Sequence, residues 1–158
     1  MSYFEINNLR IDHHSFEGTK TVLDIDHLAI EKGETYGLVG ESGQGKTVLA
    51  LAVQKLLRCP PGSIESGEIL LDGQNLLELK EKQMQREIRG KKIAMIFQDP
   101  MSCLNPVFTV GTIMTDVIRQ QNKGMKKKQA QEQAKKLLEE VKLADAGSVM
   151  NKYPHQLS

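Results

Sequence analysis

The sequence has few of several residue types whose abundance is typical of particular classes of protein. It has no tryptophan, only two cysteines, and aromatic residues make up 4% of its 158 residues. Cys59 and Cys103 lie far apart without metal-ligand spacing, so a disulfide scaffold is not expected and a reducing compartment fits. The formal net charge is only +1, which gives no electrostatic reason to expect nucleic acid as a partner.

Long apolar runs are missing as well. No stretch approaches the roughly 18 consecutive apolar residues that a membrane span needs, and residues 1–5 show no signal-peptide pattern. Any association with a membrane is therefore expected to come through a partner protein. The 39% apolar and 26% charged residues are ordinary for one globular domain of this length.

The most informative stretch is 40–47, which reads Gly-Glu-Ser-Gly-Gln-Gly-Lys-Thr. It fits the P-loop (Walker A) pattern of a glycine, four residues, Gly-Lys and then serine or threonine. Its context also fits, because residues 35–39 predict a short apolar strand and residues 48–57 predict a helix. The alternative interpretation is a glycine-rich turn without a ligand.

The residue types in this loop suit a phosphate group. Gly40, Gly43 and Gly45 allow a concave backbone whose N–H groups point at phosphate oxygens, where any β-carbon would crowd the ligand. The helix that follows adds free N–H groups and the positive end of its dipole. Lys46 can reach the β- and γ-phosphates, and the Thr47 hydroxyl can bind Mg²⁺. The loop therefore predicts a site for a nucleoside triphosphate.

The N-terminal part predicts antiparallel β-structure. Residues 3–11 and 21–30 predict a hairpin joined by a polar turn at 13–20, and residues 66–71 predict a strand closed by an Asp-Gly turn. The two adjacent histidines of the polar turn point apart in a strand, so a solvated turn is favoured over a metal site.

The middle of the chain predicts buried elements separated by a charged one. The helix at 48–57 is apolar nearly all round, which predicts burial between two layers, and residues 59–62 (Cys-Pro-Pro-Gly) are expected to stop it. Residues 79–89 predict an exposed, charged helix. Residues 92–97 predict a buried strand that delivers Gln98 at its carboxyl end, where α/β sheets place ligand-binding residues.

The C-terminal part predicts helices. Residues 110–121 predict one helix and residues 126–143 a second, in which Glu132 can pair with Lys136. The apolar face of the second predicted helix consists of Ala130, Ala134, Leu137 and Val141. The lysines at 126–128 predict a solvated helix end, with contact to phosphates as the alternative.

Two further motifs accompany the P-loop. Residues 97–106 read Phe-Gln-Asp-Pro-Met-Ser-Cys-Leu-Asn-Pro, and residues 153–158 read Tyr-Pro-His-Gln-Leu-Ser. The first is similar to the Q-loop region, and the second to the start of the signature motif, of ABC-transporter ATP-binding subunits. Together with the P-loop they make the chain resemble that family, in its oligopeptide, dipeptide and nickel importer branch.

The resemblance implies an α/β fold, namely an incomplete ABC-type nucleotide-binding domain of the P-loop NTPases. Residues 1–106 would form an N-terminal antiparallel β-subdomain with the core sheet and P-loop, and residues 107–158 an α-helical subdomain. The family's Mg²⁺-binding aspartate, catalytic glutamate and switch histidine normally follow the signature. We expect a truncated chain with an exposed apolar face at 36–39 and no complete catalytic site.

The resemblance also implies the site residues. Thr47 and Gln98 would share the Mg²⁺ ion and its water, and residues 99–106 would sense the nucleotide and touch the membrane subunit. Phe16 stands where the family has an aromatic that stacks on adenine; the alternative for an aromatic at a loop tip is packing filler. The residues implied to bind the nucleotide are Gly40, Glu41, Ser42, Gly43, Gln44, Gly45, Lys46, Thr47, Val48 and Phe16.

The function implied by the resemblance is that of the ATP-binding subunit of an importer for peptides or nickel, with ATP and Mg²⁺ as cofactors. Its partners would be the permease subunits and a second ATP-binding subunit, at the cytoplasmic face of the membrane. The full-length protein would couple ATP hydrolysis to uptake, and this chain alone would be inactive as an ATPase. The alternatives are a non-catalytic nucleotide-binding or interaction fragment and, less favoured, a small-molecule kinase, because no arginine cluster follows Gln98.

Overall fold

The computed structural model describes residues 2–143 and 145–157. The chain forms two compact units, residues 1–95 and residues 96–158. The first unit contains an antiparallel sheet and the P-loop, and the second contains a small group of helices. The boundary at residue 106, which the resemblance implies, stays a prediction.

The first unit is built on a sheet of four strands in the order β2-β1-β3-β4, all antiparallel within the described residues. The strands are β1 (Phe4–Ser15), β2 (Gly18–Ile30), β3 (Gly62–Leu71) and β4 (Gln74–Asn75). The predicted hairpin is confirmed, but Ser15 pairs with Gly18, so its turn is much shorter than the predicted 13–20. The strand pairing therefore continues through residues whose polarity suggested a loop.

The predicted Asp-Gly turn between β3 and β4 is confirmed. Asp72 and Gly73 have φ angles of 51° and 76°, and two consecutive positive values are typical of a hairpin turn. The pairing of β1 with β3 shifts register between Asn7 and Arg10, where a bulge bends the sheet.

One helix, α1 (Lys46–Val53), packs against this sheet through the buried residues Leu49 and Ala52. The prediction of a helix over 48–57 is correct in type, but the helix begins and ends earlier. Lys55 adopts a left-handed conformation with φ 51°, and such a residue commonly ends a helix. The helix therefore ends before residues 59–62, and the predicted stop there is wrong. The predicted burial on all sides is also wrong, because Leu56 is 41% exposed.

The segment at 79–89, predicted as an exposed helix, contributes to the core. It contains the short helix α2 (Glu81–Gln83), which continues as a π-helical turn at Met84–Ile88. Met84 and Ile88 are fully buried, because residues four apart on one helical segment face the same side. The prediction of a purely exposed surface feature is therefore wrong.

Two strands predicted from the sequence are not formed. Residues 35–39 and 92–97 have no strand pairing except an isolated bridge between Arg89 and Ile93. A strand needs a neighbour for its N–H and C=O groups, and the described sheet provides none beside these segments. Val39 is 95% exposed, so the predicted exposed apolar face at 36–39 is confirmed, while the buried strand at 92–97 is wrong.

The second unit contains α3 (Val110–Gln121), α4 (Lys127–Glu140) and α5 (Ala146–Asn151). The predicted bounds of α3 are confirmed, and its first turn is capped by Thr109, whose hydroxyl accepts a hydrogen bond from the Thr112 N–H at 3.3 Å. The second helix, predicted over 126–143, is shorter at both ends. Nowhere in the described chain does a helix have the length and apolar character needed to cross a membrane.

The buried face of α4 differs in part from the prediction. Ala130 and Ala134 are buried as predicted, but Leu138 replaces Leu137 and Val141, which are 39% and 67% exposed. Val141 lies outside α4, which explains its exposure. Among the described residues, the ion pair on this helix joins Lys135 to Glu139 at 3.9 Å rather than Glu132 to Lys136. The lysines at 126–128 are exposed, as predicted for a solvated helix end.

Candidate functional site

The glycine-rich loop at 40–47 leads directly into the first turn of α1. Gly43 and Gly45 both have a φ of 84°, a conformation that glycine adopts without steric cost. Gly45 is the N-cap of α1, and no side chain accepts a hydrogen bond from the first turn at this position. The N–H groups at the beginning of α1 are therefore open to an anion.

Gly45 also forms the contact between this loop and the sheet. A β-carbon on Gly45 would lie 2.6 Å from the carbonyl oxygen of Val22 in β2 and 3.1 Å from Leu23 Cδ1. Because the first distance is far below a normal contact, only glycine allows the loop to rest on β2 in this way. The motif predicts a glycine here for the phosphate, and the structure adds a packing reason.

Lys46 is held next to the beginning of the loop. Its Nζ donates to the carbonyl oxygens of Gly40 at 2.6 Å and Glu41 at 2.5 Å. The Gln44 side-chain oxygen accepts a hydrogen bond from the Glu41 N–H at 3.2 Å, which is a further contact within the loop. A phosphate oxygen can replace these carbonyl oxygens as acceptor for the ammonium group. Open N–H groups, two left-handed glycines and an ammonium group together fit the phosphates of a nucleotide.

Phe16 lies at the tip of the β1–β2 hairpin and is fully exposed. The tip leads into β2, the strand whose Val22 contacts the glycine-rich loop, and Val22 follows Gly18 by four residues, about 13 Å of strand. Full exposure excludes packing filler as its role within this unit. Its stacking on adenine stays a prediction.

Gln98 and residues 99–106 belong to the second unit. This stretch contains one 3₁₀ turn at Met101–Cys103, and the exposed Cys103 thiol contacts the Asp99 carbonyl oxygen at 3.8 Å. The sharing of Mg²⁺ by Thr47 and Gln98 stays a prediction. Over residues 2–143 and 145–157, no group of three or more His, Cys, Asp or Glu side chains is placed to hold a metal ion.

The C-terminal end of α1 makes contacts that the sequence does not predict. Arg89 donates hydrogen bonds to the carbonyl oxygens of Gln54 and Lys55, and it forms an ion pair with Glu81. The four-residue spacing of Met84 and Ile88 could have indicated that this segment packs on the core. The hydrogen bonds themselves join residues more than 30 positions apart, and a local pattern does not reveal them.

The family model for ABC transporters matches residues 23–158, which include the whole glycine-rich loop. The chain belongs to the ABC transporter family. The oligopeptide transport ATP-binding protein OppD of Bacillus subtilis is 41% identical over 154 residues, which are 98% of this chain and 42% of OppD. The dipeptide transport ATP-binding protein DppD of Lactococcus lactis is 40% identical over 154 residues, 98% of this chain and 44% of DppD.

A third relative, the glutathione import ATP-binding protein GsiA of Salmonella typhimurium, is 40% identical over 150 residues, 92% of this chain and 24% of GsiA. This ABC transporter chain thus spans less than half the length of the curated relatives named here. The structure of MJ0796, a dimeric bacterial ABC transporter cassette, matches with a TM-score of 0.81 at 23% identity. That match covers 98% of this chain and 63% of MJ0796, and it confirms the predicted fold class.

Proposed function

We propose that this chain binds ATP and forms part of the ATP-binding subunit of a peptide importer. The observation that carries the proposal is the glycine-rich loop at the open beginning of α1, with the Lys46 ammonium group beside it. The cargo class rests on the names of the relatives, which refer to oligopeptide transport, dipeptide transport and glutathione import. Nickel stays an untested alternative cargo.

In this proposal each part of the loop has one role. The backbone N–H groups of the first turn of α1 and the Lys46 ammonium group bind the β- and γ-phosphates. Thr47, whose side chain is exposed, and Gln98 hold the Mg²⁺ ion, which neutralises phosphate charge when it is bound. Phe16 stacks on the adenine ring from the hairpin tip.

The partners in this proposal are permease subunits and a second ATP-binding subunit, which puts the chain at the cytoplasmic face of the membrane. The dimeric MJ0796 cassette is an example of such pairing in the same fold. Coupling of ATP hydrolysis to uptake is proposed for the complete subunit. That this chain alone hydrolyses little ATP stays a prediction, and release of inorganic phosphate measures it.

We expect the substitution Lys46→Ala to weaken ATP binding about tenfold to a hundredfold. The reason is that hydrogen bonds to charged groups contribute about 1.5–3 kcal/mol each, and the variant loses the ammonium donor. Isothermal titration of the full chain with ATP and Mg²⁺ measures the dissociation constant, and circular dichroism checks that the variant is folded.

Lys128→Ala is the matched control, because it removes the same charge from an exposed position in α4. Its dissociation constant should equal that of the wild type. A folded Lys46→Ala variant with unchanged affinity would show that the loop is not the phosphate site. A wild-type chain that does not bind ATP would instead favour the alternative of an interaction fragment without a nucleotide.

A further inference from the structure

The C-terminal end of α1 is fixed by a side chain that is distant in the sequence. Arg89 Nε donates to the Gln54 carbonyl oxygen at 2.8 Å, and Arg89 Nη2 donates to the Lys55 carbonyl oxygen at 3.0 Å. The last carbonyl groups of a helix have no partners within it. One guanidinium group therefore satisfies two acceptors at this end, and its positive charge also suits the negative end of the helix dipole.

Arg89 is itself held in place. Its guanidinium group forms two hydrogen bonds with the Glu81 carboxylate, at 2.5 and 3.1 Å, and its side chain is only 18% exposed. The hydrogen bond from Arg89 lowers the pKa of Glu81 below its ordinary value, because it favours the ionised carboxylate that accepts it. Its backbone N–H donates to the Met84 carbonyl oxygen at 2.8 Å, which ties it to the buried π-helical turn.

Lys55 provides an independent sign that this end of α1 is specifically arranged. It has a φ of 51°, at a position after a helix where glycine or asparagine is usual because a side chain is strained there. Its Nζ donates to the carbonyl oxygens of Leu77 and Leu79, each at 2.8 Å. The strained backbone is thus combined with a side chain that joins α1 to the segment before Glu81.

These contacts lie at the opposite end of α1 from the candidate phosphate site. Helix α1 has eight residues, a length of about 12 Å, and a regular secondary element of this kind can carry coupling from one end to the other. Its N-terminal end is fixed by the contact of Gly45 with Val22. Its middle is anchored by the buried residues Leu49 and Ala52. The contacts at the C-terminal end are a third constraint on the direction of α1, and that direction decides where the first-turn N–H groups point.

We propose that Arg89 is a positioning residue for the glycine-rich loop, and that it acts through α1 by holding the carbonyl groups of Gln54 and Lys55. This inference rests on the proposed function, because the property that Arg89 controls is the affinity for ATP. Arg89 does not touch the nucleotide in this proposal. It keeps the donors of the loop and of the first turn in the orientation that binds phosphate.

The test compares ATP affinity and loop geometry in variants of the full chain. We expect Arg89→Gln to raise the dissociation constant of ATP about threefold to tenfold. It should also shift the amide resonances of Gly43, Gly45 and Thr47 before any nucleotide is added. Arg89→Lys should have an intermediate effect, because one ammonium group cannot reproduce the two-pronged contact with both carbonyl groups.

Two controls separate positioning from general destabilisation. Ile88→Val removes one buried methyl group beside Arg89 and should lower the thermal unfolding midpoint without changing the affinity for ATP. Glu81→Gln keeps the donors of Arg89 to Gln54 and Lys55 and should change the affinity less than Arg89→Gln does. If Arg89→Gln does not fold, Arg89→Lys carries the comparison.

The outcomes distinguish this inference from the proposed function. If the wild-type chain binds ATP, and a folded Arg89→Gln variant binds it equally well with unshifted loop amides, the positioning role is overturned. If the wild-type chain binds no ATP, the proposed function fails. The positioning role of Arg89 is then tested only by the amide resonances of the loop, which are measured without nucleotide. Equal loss of affinity in Ile88→Val would also overturn the inference, since destabilisation alone would then explain the effect.

Discussion

Gly67→Ala is expected to lower the free energy of unfolding of the first unit by about 3–5 kcal/mol, from backbone strain and overpacking together. Gly67 has a φ of 93°. A β-carbon there would lie 2.4 Å from the Asn8 carbonyl oxygen and 2.5 Å from Leu9 Cα. Both atoms belong to the backbone of β1, so neither can move without opening the pairing of β1 with β3.

The control for this prediction is Gly73→Ala. Gly73 has a similar φ of 76°, but a β-carbon there would meet nothing within 4 Å. It should therefore lose only the backbone term, about 1–2 kcal/mol. Urea unfolding followed by circular dichroism measures both variants. Equal losses for the two glycines would contradict the close contact between β3 and the bulge at Asn8.

Gly45→Ala is expected to cost about 2–4 kcal/mol of stability and to weaken ATP binding as well. The β-carbon would lie 2.6 Å from the Val22 carbonyl oxygen, so either the loop or β2 must move. Since Gly45 is also the N-cap of α1, a displaced loop misdirects the N–H groups that the proposal assigns to phosphate. The two losses have one physical cause and should appear together.

Gly43→Ala is the matched control within the same loop. Its φ is the same 84°, but no atom lies within 4 Å of the β-carbon position. The difference in unfolding free energy between the two variants therefore measures the contact of Gly45 with Val22, without the backbone term. A Gly45→Ala variant as stable as Gly43→Ala would show that the loop does not rest on β2.

The parts of the fold that could be predicted are those with local signals. Alternating polarity predicts the β1–β2 hairpin, and the Asp72-Gly73 pair predicts the turn that it forms. The predicted bounds of α3, residues 110–121, agree with the structure at both ends. The two missing strands show the limit of such signals. An apolar run such as 35–39 indicates a preference for burial, but it contains no information about which strand pairs with it.

The same distinction holds for the candidate site. The P-loop motif predicts the residues of the loop, because the chemistry of phosphate binding fixes their types at fixed spacing. Two contacts near the site join residues that are far apart in the chain. Gly45 lies against Val22, and Arg89 donates hydrogen bonds to the C-terminal end of α1. They depend on tertiary structure, and the residue types at positions 22 and 89 do not reveal them.

A titration of the ¹⁵N-labelled full chain with ATP and Mg²⁺, followed through the backbone amide resonances, locates the nucleotide site directly. We expect the largest shifts on Gly43, Gly45, Lys46, Thr47 and Val48, and we expect Lys46→Ala to reduce them strongly. Saturable shifts centred on another part of the chain, with the resonances of this loop unchanged, would show that the glycine-rich loop at α1 does not bind the triphosphate.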